Sequence, residues 1–421
     1  MGRRIKKLIP YFLIQFYHYL IAFLKALFNR FPSRKMKVIG VTGTNGKSTT
    51  VKLISSILKE AGYKVASLSS IDFEIDGKRE ENLFKMTMPG RGFVHSFLRR
   101  SLKKGCTIAV IEVTSEGIKQ YRHKFVNFDI AVFTNLSPEH IEAHGGFENY
   151  KKAKGELFKK AKELHILNTD DFSWEYFKKF PSREKIGYGT EKKLEKSFLA
   201  KKIKTQAGKS TFSLRGEEFT LNLPGKFNIY NALAAISLGD YLGISFLKMK
   251  EALEKVEGIP GRMEKVISSP FLVFVDYAFT PNALEKVYLE LKENYNPSKI
   301  IAILGACGGG RDKWKREVLG EIAGRYADLI IVTDEDPYDE DPKEIIDQVA
   351  LGVKQGEVLK IVSRREAIRK GLERAQKNDI VIITGKGNEP WMCLKDGKKI
   401  PWDDRQIVRE EYEKTRIHQN Q

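Results

Sequence analysis

The chain has 421 residues, more than one hydrophobic core usually organises, so we expect roughly two or three domains. Its 30% charged and 42% apolar residues are typical of a soluble globular protein and exclude a largely disordered one. The formal charge of +19 favours anionic partners, namely nucleotides, phosphorylated intermediates, nucleic acid or acidic lipid, without choosing among them. Three cysteines without a CxxC pair support neither a disulfide framework nor a thiolate zinc site, and they fit a reducing cytoplasm.

The N-terminal segment, residues 1–35, predicts an apolar or amphipathic helix. Residues 8–24 carry no charge, and basic residues flank them at Arg3, Arg4, Lys6, Lys7 and Lys25. A less apolar stripe recurs at steps of three and four, formed by Gln15, His18, Ala22, Lys25 and Asn29. This pattern favours a helix that lies on a surface over one that spans a bilayer or forms a signal peptide. Two interpretations stay open: residues 8–29 contact a membrane surface, or the apolar face packs on the protein's own body.

A phosphate-binding loop follows. Residues 37–41 predict a buried strand, and residues 42–50 (TGTNGKSTT) lead into a helical pattern. Backbone N–H groups at a helix N-terminus favour phosphate, which makes Thr44, Asn45, Gly46 and Thr49 candidate nucleotide contacts. Lys47 has the reach for the outer phosphates, and Ser48 has a hydroxyl suited to Mg²⁺. Because Val41 stands where the strict pattern has glycine, this is a variant loop, and alone it indicates only an NTPase.

The spelling TGTNGKST, together with later blocks in the same order, resembles the Mur ligase family of ATP-dependent amide-forming ligases. The later blocks are EVTS at 112–115, TNLSPEH at 134–140, KKAKGELF at 151–158 and PGKFNIYNALAA at 224–235. The resemblance implies that Ser48, Glu112, His140 and a carbamylated Lys154 hold Mg²⁺. It also implies that Asn228 and Asn231 seat adenine. A solvated basic run is the alternative for Lys151, Lys152 and Lys154.

The C-terminal part begins at the hinge-like segment GIPGRME, residues 258–264. Apolar runs at 271–275, 300–304, 329–332 and 380–383 alternate with helical segments, which predicts a parallel sheet and a Rossmann-like domain. The resemblance implies that Arg262 reaches the ATP phosphates and that Asp276 binds the ribose. Two positions depart from the family pattern, because Phe279 and Asn388 stand where histidine is usual.

The resemblance also points to substrate contacts. Near the sugar or peptide of the acceptor it implies Thr87, Thr114, Ser115 and Arg122, and near the incoming amino acid it implies Arg311, Asp336, Tyr338, Gly385 and Glu389. Diaminopimelate-adding members carry Asn-Pro-Arg where this chain has Asp336-Pro337-Tyr338. Without the arginine, we expect weaker recognition of a carboxylate and a preference for an amino acid with a cationic end, such as lysine. The alternatives are diaminopimelate and a solvated acidic loop that does not select the amino acid.

We therefore predict an α/β protein with an N-terminal helix (1–35), a central ATP-binding domain (36–257) and a Rossmann-like C-terminal domain (258–421). The predicted function is addition of an amino acid to a muramoyl-peptide precursor of peptidoglycan through an acyl phosphate, with ATP and Mg²⁺, and with Lys47, His140, Lys154 and Arg262 as the catalytic set. The resemblance is greatest to members that add the third stem-peptide residue, and we expect their uridine-gripping first domain to be absent here.

Further expectations about activity, partners and location follow from that interpretation. A folate-polyglutamylating or amino-acid-polymerising ligase and a non-catalytic membrane-associated nucleotide scaffold are the alternative functions. Retention of every predicted metal ligand argues against the scaffold. No nucleic-acid partner is expected. A lipid-linked acceptor remains a hypothesis, as does a cytoplasmic location at the inner face of the membrane.

Overall fold

A computed structural model describes residues 10–84, 86–90 and 92–419. The basic residues Arg3, Arg4, Lys6 and Lys7, predicted to flank the first helix, lie outside this described part. The described chain begins with helix α1 (Tyr11–Phe28), followed by a 3-10 turn at Pro32–Lys35. Within the described residues, none of the helices combines the length and apolar content that crossing a bilayer requires.

The central part is built on a nine-stranded sheet. Its strands, in chain order, are β1 (Lys37–Thr42), β2 (Val65–Leu68), β3 (Asp72–Ile75), β4 (Lys78–Glu81), β5 (Ile108–Glu112), β6 (Ile130–Phe133), β7 (Leu164–Asn168), β8 (Glu184–Gly189) and β9 (Ser197–Leu199). The spatial order is β4-β3-β2-β5-β1-β6-β7-β8-β9. Strands β2 to β9 in that order are parallel, while the β3–β4 hairpin adds an antiparallel edge. The fully buried runs of β5 and β6 explain why both sit inside a parallel sheet covered on two faces.

Helices cover both faces of this sheet. They are α2 (Lys47–Glu60), α3 (Phe93–Lys103), α4 (Ser115–Lys119), α5 (Ile141–His144), α6 (Phe147–Lys160), α7 (Trp174–Lys178), α8 (Lys226–Tyr241) and α9 (Phe246–Glu254). A small antiparallel sheet of β10 (Lys201–Gln206), β11 (Lys209–Leu214) and β12 (Glu217–Leu221) packs its apolar side into the same core as α2 and α8. That core fixes α2, and with it the loop that opens α2.

The C-terminal part is a second three-layer α/β unit. Its sheet has the order β13-β14-β18-β15-β16-β17, in which only the edge strand β13 is antiparallel. The strands are β13 (Glu264–Ile267), β14 (Leu272–Asp276), β15 (Ile300–Leu304), β16 (Leu329–Val332), β17 (Glu357–Lys360) and β18 (Ile380–Thr384). The helices are α10 (Pro281–Tyr295), α11 (Lys315–Tyr326), α12 (Pro342–Gly352), α13 (Arg364–Arg374) and α14 (Asp404–Gln419), and a hairpin of β19 (Trp391–Cys393) and β20 (Lys399–Pro401) follows β18.

The apolar runs predicted as strands are confirmed. The runs at 300–304 and 329–332 coincide with β15 and β16, and those at 271–275 and 380–383 match β14 and β18 to within one residue at each end. The strand predicted before the phosphate loop is β1, extended by one residue. The ends of β1 and β5 in one sheet, and of β14 and β18 in the other, carry most of the residues predicted to be functional. This is the sheet edge at which open α/β sheets bind ligands.

Candidate active site

The phosphate loop lies between β1 and α2 and is held from behind. Gly43 has no room for a side chain, because a Cβ there would overlap the Thr134 hydroxyl. Gly46 has a φ of 80° and opens α2, and a Cβ on it would overlap the amide of Asn231. Both glycines are therefore required by space as well as by backbone conformation. The loop leaves the N-terminal N–H groups of α2 available at a sheet edge, the arrangement that favours phosphate.

The loop's polar residues are fixed by neighbours from the next strand. Thr44 accepts a hydrogen bond from the N–H of Ser137 (3.0 Å) and lies 3.1 Å from the Tyr150 hydroxyl. The N–H of Asn45 donates to the side chain of Asn135 (3.0 Å). Thr49 is buried in the first turn of α2. These contacts rigidify the loop before any nucleotide arrives.

Lys47, Ser48 and Glu112 meet at one point, as the adjacent strands β1 and β5 dictate. The Ser48 hydroxyl donates to Glu112 Oε2 over 2.8 Å, and Lys47 Nζ lies 3.8 Å from Glu112 Oε1. Burial lowers the pKa of Lys47, and the Glu112 carboxylate partly opposes that shift. The Ser48 hydroxyl and the Glu112 carboxylate are oxygen donors of the type that Mg²⁺ prefers, so this pair fits that ion.

Arg262 joins the cluster from the hinge segment. Its guanidinium lies 3.4 Å from the Ser70 hydroxyl, and Ser70 is itself 2.8 Å from the Ser48 hydroxyl. The ring of Tyr277 stacks on the guanidinium at 4.3 Å, and Asn388 Oδ1 accepts from it at 3.3 Å. The structure thus brings a residue of the C-terminal part to the phosphate loop. Ser70 was missed by the sequence reasoning, and its place directly after β2 was the only signal.

Lys154 and His140 lie on the other side of the loop. Lys154 is 2% exposed, donates to the carbonyl of Gly43 (2.7 Å) and sits 4.6 Å from the Tyr150 ring centre. Burial lowers the pKa of Lys154 well below its usual range, and the charge of Lys47 lowers it further. Burial, followed by the charge of Arg311, lowers the pKa of His140 to about 2, so its imidazole is neutral, as a metal ligand must be.

A buried ion pair closes the site between the two halves of the chain. Lys315 Nζ binds Glu139 Oε1 at 2.9 Å, and each side chain is 4% exposed. Asp312 accepts from the N–H groups of Ile141 (3.1 Å) and Glu142 (3.0 Å), capping α5. Both interactions were missed by the sequence reasoning, since partners some 170 residues apart leave no local pattern. Lys315 also lies 4.9 Å from the ring of Phe279, which occupies the histidine position of the family.

The residues predicted for adenine and ribose are engaged in local contacts. Asn231 accepts from the Thr50 hydroxyl (3.2 Å) and donates to Asn228 (3.1 Å), while Asn228 donates to the carbonyl of Pro224. Asp276 accepts from the N–H groups of Met263 and Ala278, both at 2.6 Å. These three side chains brace the loop and the hinge in the structure, and their contact with a nucleotide stays a prediction.

The predicted amino-acid contacts form a second cluster. Lys386 Nζ binds both oxygens of Asp336 (3.1 and 3.0 Å) and Glu389 (3.1 Å), and Glu389 accepts from the Tyr277 hydroxyl at 3.0 Å. The N–H of Cys393 also donates to Asp336 (2.7 Å). This network connects back through Tyr277 to Arg262. Asp336 is therefore engaged with a lysine of the protein, and sequence reasoning gave no role to Lys386.

Glu335 and Arg311 lie beside that network. Gly385 has a φ of 107°, which favours glycine, and a Cβ on it would overlap the Glu335 carboxylate. Burial raises the pKa of Glu335 to about 7, and Cys307 Sγ lies 3.2 Å from it. Gly309 lies against the Tyr338 ring. Arg311 is exposed at the same edge, where a ligand has access to it.

The predicted acceptor contacts lie around the loop that follows β4. Arg122 donates to the carbonyl of Met88 and, over 2.6 Å, to Gln120. Burial lowers the pKa of Arg122. Thr114 caps α4 by accepting from the N–H of Gly117, and Ser115 is buried beside it. Thr87 is half-buried in the same loop.

The described residues contain no group of three His, Cys, Asp or Glu side chains arranged for a metal ion. The predicted magnesium set does not require one, because it draws on Ser48 and on a modified lysine. Unmodified Lys154 is a nitrogen base near another cation and does not fit a cation as a ligand. Carbamylation would convert it into an oxygen donor, and a buried lysine of lowered pKa is suited to that reaction.

Two family models match the chain: the Mur ligase middle domain over residues 41–239, and the Mur ligase glutamate ligase domain over residues 261–387. The UDP-N-acetylmuramoyl-L-alanyl-D-glutamate–2,6-diaminopimelate ligase of Caldanaerobacter subterraneus subsp. tengcongensis is 38% identical over 389 residues, which cover 90% of this chain and 78% of the relative. The same type of ligase from Aquifex aeolicus is 36% identical, with the same coverage of both chains.

Among solved structures, a UDP-N-acetylmuramoyl-L-alanyl-D-glutamate–2,6-diaminopimelate ligase superposes with a TM-score of 0.60 at 29% identity, covering 90% of this chain and 79% of the other. Folylpolyglutamate synthase of Mycobacterium tuberculosis superposes with a TM-score of 0.71 over 87% and 92% of the two chains, but at 16% identity this likeness shows the fold alone. The chain belongs to the Mur ligase family and is an ATP-dependent ligase of peptidoglycan synthesis.

Proposed function

We propose that this ligase joins the amino group of a diamino acid to the terminal carboxylate of a muramoyl dipeptide. The carboxylate attacks the γ-phosphorus of ATP, giving an acyl phosphate and ADP. The amine then attacks the acyl carbon, phosphate leaves and the amine loses a proton. The observation that carries the proposal is the meeting of Lys47, Ser48 and Glu112 with Arg262, which supports a phosphate-binding site shared by residues of two domains.

Each residue of that cluster has a task in this reaction. Lys47 and Arg262 offset the negative charge of the phosphate during transfer. Thr44, Asn45, Gly46 and Thr49 shape the loop whose N–H groups bind the phosphates. Asn228, Asn231 and Asp276 border the predicted nucleotide position. Contacts such as Lys315–Glu139 keep the two halves closed, so that water is excluded from the acyl phosphate.

Magnesium is part of the proposal. Ser48, Glu112, His140 and carbamylated Lys154 would hold it, and the bound ion would supply charge neutralisation at the phosphates. The neutral imidazole of His140 and the oxygen donors at Ser48 and Glu112 support this donor set. The lowered pKa of Lys154 supports its carbamylation, because a neutral amine is the form that reacts with CO₂.

For the amino acid, we propose diaminopimelate first and lysine as the alternative. The engagement of Asp336 with Lys386 weakens the hypothesis of an open acidic site for a cationic end. The exposure of Arg311 supports a role for it in binding a carboxylate, since this chain lacks the arginine of the Asn-Pro-Arg segment. The similarity to two 2,6-diaminopimelate ligases also supports diaminopimelate. Gly385, Tyr338 and Glu389 would complete this site, and Thr87, Thr114, Ser115 and Arg122 would contact the acceptor.

The test is phosphate release by the purified full chain with ATP, Mg²⁺ and the uridine-linked muramoyl dipeptide, adding diaminopimelate, lysine or another amino acid one at a time. We expect release stimulated by diaminopimelate and a product heavier by that residue. Stimulation by lysine alone would overturn the choice of amino acid. Absence of stimulation by any amino acid would overturn the proposed acceptor. Lys154→Ala should abolish the activity, and Lys152→Ala, an exposed lysine on the same helix, is the matched control.

A further inference from the structure

Helix α1 turns its less apolar side toward the protein. Ala22 and Ala26 are 5% and 0% exposed. The amide of Asn29 lies 3.4 Å from the Ser96 hydroxyl of α3, and the stem of Lys25 covers Gly92. The stripe of weak apolarity seen in the sequence is thus the docked face. The interpretation in which the apolar face packs on the protein's own body is wrong for most of that face, whose large side chains are exposed.

The opposite side of α1 is apolar, aromatic and exposed. Of twenty large hydrophobic side chains that are exposed in the described part of the chain, ten lie on this one helix. They are Phe12, Leu13, Phe16, Tyr17, Tyr19, Leu20, Phe23, Leu24, Leu27 and Phe28. On this side, Tyr19 and Phe23 make edge contacts with Phe125 at 5.2 and 5.4 Å. So large a contiguous apolar surface marks an interaction site.

We propose that this face docks on the surface of an anionic lipid bilayer, with α1 lying in the plane of the interface. The first 59 residues contain no Asp or Glu. Lys25 and Arg30, with Arg34 and Lys35 in the following turn, border the apolar face with positive charge. Aromatic rings and leucines that enter the acyl boundary, bordered by cations that meet the headgroups, are the composition of an interfacial helix.

Charge decides between this partner and a second copy of the chain. In a symmetric pairing through α1, Lys25, Arg30, Arg34 and Lys35 of each copy would meet no carboxylate from residues 1–59 of the other, so the positive charge of both copies would stay uncompensated. Like charges placed opposite each other in an interface cost free energy. An anionic bilayer instead satisfies the apolar and the basic parts of the face together.

The docking face adjoins the loops predicted to bind the acceptor. The Tyr19 ring on α1 lies 6.0 Å from the Tyr121 ring, and the next residue, Arg122, holds the carbonyl of Met88 in the loop that carries Thr87. Leu83, Phe84 and Met86 are also exposed in that region. Docking through α1 would place this side of the ligase next to the lipid. The inference itself does not depend on which substrate the ligase uses.

The experiment is flotation of the purified full chain with vesicles of phosphatidylglycerol and phosphatidylcholine, compared with vesicles of phosphatidylcholine alone. We expect binding to the anionic vesicles that weakens with added salt. The triple variant Phe12→Gln, Phe16→Gln and Phe28→Gln should lower the bound fraction by about tenfold, since it removes three exposed rings without touching Ala22 or Ala26. The triple variant Phe172→Gln, Leu247→Gln and Leu351→Gln is the matched control, because these positions are similarly exposed elsewhere.

Three results would overturn the proposal: no flotation of the unaltered chain with anionic vesicles at low salt, equal flotation of the α1 variant, or an equal loss in the control variant. A dimer in light scattering that the α1 variant dissociates, without vesicle binding, would assign the face to a second copy. Thermal unfolding of both variants checks that they are folded. Ligase activity with the uridine-linked acceptor, measured without vesicles, separates a failure of docking from a failure of the proposed function.

Discussion

The two halves of this ligase differ in how closely their buried cationic side chains are paired with carboxylates. Around the phosphate loop, buried bases have lowered pKa values: Lys154 and Lys47, with His140 at about 2. In the C-terminal part, buried cations are paired, Lys386 with Asp336 and Arg364 with Asp404 through two bonds of 2.9 and 2.7 Å. In the first arrangement the nearest carboxylate to Lys47 is 3.8 Å away, and Lys154 has none within ion-pair distance among the described residues, whereas in the second each cation binds a carboxylate at 3.1 Å or less. The comparison distinguishes the phosphate loop, a candidate binding site for charged ligands, from the paired cations of the C-terminal part, which stabilise the fold.

The largest expected effect is a loss of activity on substitution at the phosphate loop. Lys47→Ala should lower kcat/KM by about 10³-fold, about 4 kcal/mol, because it removes the cation nearest the transferred phosphate. Steady-state kinetics with saturating acceptor measure this. Lys52→Ala, which changes a lysine of the same helix that forms an ion pair with Glu74, is the control. Near-equal kinetics for the two variants would show that Lys47 serves the fold and not the chemistry.

Substitution of a paired cation in the C-terminal part should lower the stability of the fold. Lys386→Met leaves the buried Asp336 carboxylate without its cation and should lower the free energy of unfolding by about 3 kcal/mol. Urea denaturation measures the loss. The double variant Asp336→Asn with Lys386→Met should recover part of it, since the stranded charge is removed. If Lys386→Met alone costs less than the double variant, the pair is not an internal framework.

Lys154 provides the matched contrast, since it is about as buried as Lys386. No carboxylate forms an ion pair with it among the described residues. Lys154→Met should therefore change the free energy of unfolding by no more than about 1 kcal/mol while abolishing activity. The same denaturation experiment measures this change. A loss as large as that of Lys386→Met would remove the distinction between the two halves.

Much of the candidate site at the phosphate loop could be predicted from the sequence. Parallel strands β1 and β5 are neighbours, so residues at their carboxyl ends had to meet, and Ser48 and Glu112 do. The alternation of apolar runs likewise predicts the C-terminal sheet. Periodicity does not predict which face of a helix points inward. The stripe on α1 is visible in the sequence, but its inward direction follows from the burial of Ala22 and Ala26 and the contact of Asn29 with Ser96 of α3.

Long-range pairs were equally out of reach. Asp336 and Lys386 are 50 residues apart, and they meet only because the loops after β16 and β18 reach the same edge of the sheet. The Lys315–Glu139 pair joins two domains, and no local pattern in either block indicates it. Ser70 has a short polar segment around it that gives no sign of a contact with Arg262. Such contacts are set by tertiary structure and by how the two halves close.

The smallest expected effect concerns His123, and it tests whether buried bases outside the active site are also neutral. Burial, with the charges of Lys160 and Lys124, lowers the pKa of His123 to about 3. The unfolded chain therefore takes up this proton first, and stability present above about pH 6.5 is lost as the pH falls toward the folded pKa. Between about pH 7 and pH 5.5 this one residue should cost about 1 kcal/mol.

Urea denaturation at both pH values, for the unaltered chain and His123→Phe, isolates that contribution. Acidification also affects Glu290 and Glu335, whose pKa values burial raises to about 7, and these gain stability as the pH falls. Their contributions are present in both proteins and cancel in the difference. The unaltered chain should lose about 1 kcal/mol more than the variant on acidification. An equal loss in the two proteins would mean that His123 is already charged or accessible in the folded state, and that neutral burial is confined to the phosphate site.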